Sequence, residues 1–183
     1  MRGAKYRYIA RLLALGASVT ALWPTVASAQ SAVEQGEAQV GVVTPLSFIQ
    51  TEELNFGKIF ASNAAGTVVV APNGTRTRTG GVTLFGNDQQ AAEFAGMGTF
   101  NQRVQISLGS NSIFLYGPGT RMRARAFTIG STPTAVLTTT PQVFRIAGPT
   151  GGFRFPVGAT LDVNANQAPG TYSGIWTITL NYQ

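Results

Sequence analysis

Cysteine and histidine are both missing from this 183-residue chain. Their absence excludes disulfide staples, Ser-His-Asp and Cys-His nucleophile systems, and metal sites built on imidazole or thiolate. Charge is scarce as well, Asp, Glu, Lys and Arg together making up 11% of residues. Beyond residue 29 the only lysine is Lys58, and no phosphate-cradling glycine loop leads to it. No apolar run reaches the roughly 20 residues that a membrane-spanning helix needs. Nothing shows helical spacing, an internal repeat or a linker, so a helical fold and a chain of several domains are both excluded.

What is present begins with an address. Arg2, Lys5, Arg7 and Arg11 precede a short apolar run, Leu12 to Trp23, then Pro24 and the small residues Ala27-Ser28-Ala29. This order predicts a secretory signal peptide over residues 1–29, export through the inner membrane, and Gln30 as the first mature residue. Four of the 13 basic residues lie in that leader, leaving nine against seven acidic ones, a net charge of +2. The basic balance of the whole chain is therefore no argument for a nucleic-acid partner. Residues 30–183 suit a single domain with a sizeable core.

That domain reads as all-β. Gly, Thr, Ser, Asn and Val are abundant, and apolar residues alternate with polar ones between frequent turn signals. Thr171 to Gln183 alternates most clearly, with Tyr172, Trp176, Ile178, Leu180 and Tyr182 on one face. Glu37 to Phe48 alternates too, placing Ala38, Val40, Val42, Thr44, Leu46 and Phe48 together; Pro45 marks an edge or a break. A polar turn is expected at Thr51-Glu52-Glu53 and a strand over Leu54–Phe60, with a bulge at Gly57. Pro72-Asn73-Gly74 predicts a hairpin between Thr67–Ala71 and Thr75–Phe85, its return strand kinked at Gly80-Gly81. Further strands are expected at Glu93–Met97, Phe100–Leu108, Ile113–Tyr116, Arg121–Ile129, Val143–Ala147 and Phe153–Val163. Nine to eleven short strands make an immunoglobulin-like or pilin-like antiparallel β-sandwich, without a disulfide, the most economical architecture.

Candidate chemistry is thin, and no cofactor is implied. Glu52 and Glu53 are adjacent in a turn, whereas glycoside cleavage needs two carboxylates facing across a cleft. Asp162, Asn164 and Asn166 share a strand face, but the glycine and closing glutamate of a calcium loop are absent. Asn73-Gly74-Thr75 fits a glycosylation acceptor, yet the hairpin alone accounts for it. Arg121, Arg123 and Arg125 project from one side of a strand. They form either a solvated face that repels unwanted strand pairing or a contact for an anionic surface. No enzyme activity is expected.

Four stretches carry a combined likeness: Leu54–Ile59 (LNFGKI), Pro72–Leu84 (PNGTRTRTGGVTL), Phe155–Val163 (FPVGATLDV) and the closing PGTYSGIWTITLNYQ. On these the chain resembles the bacterial family known as domain of unknown function 4402. That family is in turn similar to chaperone–usher pilin subunits and to the spore coat protein U domain, through the closing strand with Tyr182 and the alternating segment before LNFGK. The resemblance implies a cell-surface, fimbrial subunit assembled by donor-strand complementation, in which one subunit's N-terminal segment fills a gap in its neighbour's sheet. Ala38, Val40 and Val42, within a donor-like segment over residues 30–45, would be the donor side chains. Tyr172, Trp176, Ile178, Leu180 and Tyr182 would line the acceptor strand. Implied partners are further copies or sister subunits, a periplasmic chaperone and an outer-membrane usher. Alternation alone leaves open whether the leading segment pairs within its own chain. The rival reading is a self-contained extracellular or periplasmic module that binds carbohydrate or another surface.

Overall fold

In the computed structural model, residues 39–130 and 134–183 are described; the leader and Ala38 lie outside them. Eleven strands follow in order: β1 Ser47–Glu52, β2 Lys58–Val70, β3 Arg76–Phe85, β4 Ala92–Met97, β5 Arg103–Leu108 and β6 Ser112–Leu115. They continue with β7 Met122–Ile129, β8 Ala135–Val136, β9 Gln142–Arg145, β10 Gly152–Val163 and β11 Ile178–Tyr182. All described ladders are antiparallel, in one sheet of eight strands and one of three ordered β11-β5-β9. The fold is an all-β sandwich, as composition and turn spacing predict.

The long strand β10 organises the larger sheet. Val157 pairs with both Ala92 and Ile129, and Thr160 with both Val69 and Arg125. Strands β4 and β2 therefore follow one another along one edge of β10, while β7 takes the other edge. This long alternation buries Phe155, Val157, Leu161 and Val163. They meet Ile106 and Leu108 of the smaller sheet in one core.

Local chemistry explains the departures from simple strands. At Ala126 the backbone turns to φ 49°, and two residues of β7 oppose one of β10. The bulge re-phases the strand, so Met122 and Ala124 are buried before it and Phe127 and Ile129 after it. The Gly80-Gly81 kink has a steric cause: four residues of β2, 62–65, bulge out opposite Gly81. A methyl on Gly81 would lie 2.2 Å from the Ala64 carbonyl oxygen. The hairpin falls where Pro72-Asn73-Gly74 predicts it, with Gly74 at φ 80° and the Asn73 side chain accepting the Thr75 amide at 3.0 Å.

Two expectations need correction. Regular pairing does not extend over Glu37 to Phe48: among the described residues it begins at Ser47 and continues through Thr51 and Glu52, the expected turn. Pro45 has no amide to contribute, and residues 40–46 belong to no strand. Leu54–Phe60 is not one strand either. Gly57, at φ 73°, breaks it, and β2 starts at Lys58.

Candidate functional site

The LNFGK stretch sets the geometry of one end. The Asn55 side chain accepts the Gly57 amide at 2.8 Å, closing a tight turn that buries Phe56. Arg76 then reaches across the hairpin and donates to the carbonyls of Phe56, Lys58, Phe85 and Gly86. Its Nη1 occupies the place of a Gly57 side chain, 2.2 Å from where a methyl would sit. Leu54 is thereby held half-buried against the core, just beyond the end of β1.

The C-terminal stretch forms the opposite wall. Only Ile178–Tyr182 is regular strand, paired with β5, whereas Ser173 makes an isolated bridge to Tyr116 at the edge of β6. The stretch thus passes from the larger sheet to the smaller one, and its alternation persists throughout. Tyr172, Trp176, Ile178 and Leu180 are half-buried against the core, and Ile175 between them is 92% exposed. Trp176 stacks on Phe127 at 5.0 Å and makes a T-shaped contact with Phe94 at 5.6 Å, so its ring serves packing. The Tyr172 hydroxyl donates to the Ala168 carbonyl at 2.9 Å and accepts from the Gly119 amide at 3.0 Å. This is the hydrogen-bond pattern of the tyrosine corner of Greek-key sandwiches.

Between these walls lies a seam. β1 is paired only with β4 and β11 only with β5, so each has an unpaired edge among the described residues. At one end the Tyr182 hydroxyl donates to the carbonyl of Thr44, three residues before β1. At the other, Glu52, Glu53, Leu54 and Phe56 line a cavity of about 540 Å³ together with Tyr172 and Trp176. β1 and the C-terminal stretch therefore run antiparallel past one another without forming a ladder. Phe48 of β1 rests on Phe94, which also carries Trp176, so the floor of the seam is aromatic. Phe48 and Leu54 were not singled out by sequence as lining this site; the LNFGK turn was the signal that places Leu54.

Val40 and Val42 lie outside any strand, 89% and 91% exposed. The expected donor residue Ala38 falls outside the described residues. Of the expected acceptor residues, Tyr172 and Trp176 line the cavity, Tyr182 reaches Thr44, and Ile178 and Leu180 pack half-buried against the core.

The three arginines do not act as one free row. Arg123 and Arg125 both bind Asp162, each with a nitrogen 2.9 Å from its carboxylate. Burial alone would raise the Asp162 carboxyl, but the hydrogen bonds from Arg125 and then Arg123 outweigh it and hold it below the usual carboxylate range. The same hydrogen bond, with the charge of Asp162, pushes Arg125 further up. Arg121 instead lies over the Phe114 ring, 3.8 Å from its centroid. Asn164 binds the Arg121 carbonyl and Gln167 rather than converging with Asp162. Among the described residues no cluster of acidic side chains is arranged to hold a metal ion.

No curated protein and no solved structure matches the chain. The sequence pattern of one family does match, over residues 46–182, a span that starts immediately before β1 and closes with β11. Through that match the chain belongs to the family described as domain of unknown function DUF4402.

Proposed function

We propose that this protein is an exported, non-enzymatic structural subunit of the cell surface whose sandwich is completed by a strand from another molecule, in the manner of a pilin. The observation that carries the reading is the seam. Two unpaired strand edges flank a half-covered apolar row of Phe48, Leu54, Trp176, Ile178 and Leu180, while Val40 and Val42 of the leading segment lie exposed. A strand laid into the seam satisfies backbone groups on both edges and covers that row. Burying two valines contributes roughly 3–6 kcal/mol before ordering costs. An exposed pair of strand edges invites misassembly, which gives a periplasmic chaperone and an outer-membrane usher their place as partners. The leader over residues 1–29 delivers the chain to that compartment.

Removing residues 31–43 tests the reading. The shortened protein is expected to aggregate alone, to become soluble with an added peptide of residues 37–45, and to cap growing multimers without extending them. A shortened protein that stays monomeric and soluble, with no response to the peptide, contradicts it.

A further inference from the structure

The seam is closed at one end by a clasp. The Tyr182 hydroxyl accepts the Thr99 amide at 2.8 Å and donates to the Thr44 carbonyl at 2.6 Å. The Thr44 amide donates in turn to Thr99 Oγ1 at 2.7 Å. Both backbone polar groups of Thr44 are therefore bound. Behind it, Leu46, Tyr182 and Ile146 close over Gly98, where an added methyl would lie within 3.1 Å of all three.

This geometry bears on which molecule can fill the seam. For the segment before Thr44 to enter its own seam, the chain must reverse between Val43 and Leu46 and return alongside β1. A tight reversal there puts Thr44 and Pro45 at the two central positions. Hairpin turns of the usual two-residue types need positive φ at the first or both of these positions, and proline at the second is tolerated only as a cis bond. The reversal also breaks the two hydrogen bonds that the clasp makes to the Thr44 backbone. A wider loop consumes the residues that carry Val42 and Val40, leaving only Ala32, Val33 and Ala38 as apolar side chains ahead of them.

We infer that the Thr44–Thr99–Tyr182 clasp, with Pro45, bars the leading segment from its own seam and reserves the seam for the same segment of a second copy of this chain. The inference rests on the strand-donation reading. It makes Tyr182 a positioning residue, acting through its hydroxyl rather than through contact with the incoming strand.

The test compares the chain lacking residues 1–29 with its Tyr182→Phe/Pro45→Gly variant, which keeps the ring packing, and with Thr99→Val/Pro45→Gly as a second route to an open clasp. Multimer distribution is followed against concentration, and amide exchange of residues 40–43 is read in the monomer fraction. The parent chain is expected to form concentration-dependent multimers, with those amides unprotected in its monomer. An open-clasp variant is expected to shift toward monomer, with protection of those amides rising on the order of tenfold or more. Variants that multimerise like the parent and stay unprotected overturn the inference, as does a parent monomer already protected there. A free peptide of residues 37–45 separates the two levels. If it binds the parent while the variants behave like the parent, only the clasp falls; if it binds neither and no multimers form, strand donation falls and the clasp with it.

Discussion

Gly57 shows how a single position can hold one end of the seam. Its φ of 73° is strained for any residue with a side chain, and its missing Cβ is where Arg76 reaches four carbonyls. Gly57→Ala is expected to cost about 2 kcal/mol or more, through the left-handed backbone and displacement of the guanidinium. Thermal unfolding checks it, and an unchanged midpoint contradicts it. Asp162 makes a second prediction. Its folded pKa lies below the unfolded value of about 3.8, so the unfolded chain takes up the proton first as pH falls. The stability it contributes is fully present above that value and is lost as pH drops through the folded pKa. Unfolding midpoints of the parent and Asp162→Asn should therefore differ near neutrality, begin to converge as pH falls below about 4, and meet only below the folded pKa. A constant gap across that range would show that the ion pairs to Arg123 and Arg125 carry no net stability.

Elements were legible where alternation and turn chemistry agree. The Asn73-Gly74 hairpin, the β5 alternation of Val104, Ile106 and Leu108, and the long β10 could all be read directly, because each has one buried face and a local turn signal. The bulge at Ala126 could not, since alanine carries no signal for positive φ and the partner strand lies about 35 residues away. The two-residue β8 was likewise invisible, being defined only by its pairing with Thr128 and Ile129. At the seam, the face of the C-terminal stretch was correct from Tyr172 to Tyr182, yet its change of sheet was not readable from periodicity. Alternation also extended the first strand too far back, because it reports faces and not partners. That gap between alternation and pairing gives an element-scale prediction. Val40→Asp/Val42→Asp should abolish donation while leaving the subunit's own unfolding midpoint unchanged, because both side chains are exposed in the isolated chain. Mixing the variant with the parent should yield chains that end at the variant; equal multimer growth by both proteins would contradict the role of these valines.

For the whole molecule, the described sandwich has a core continuous across both sheets but a perimeter open along β1 and β11. Covering an exposed edge is the usual remedy, and on the strand-donation reading a neighbour's strand would cover these two. The most direct measurement is amide exchange of the protein lacking residues 31–43, held soluble at low concentration, before and after adding a peptide of residues 37–45. Strand donation predicts new protection on β1 and on Ile178–Tyr182 together, since one inserted strand must pair with both edges. Protection of neither edge, or of only one, would contradict it.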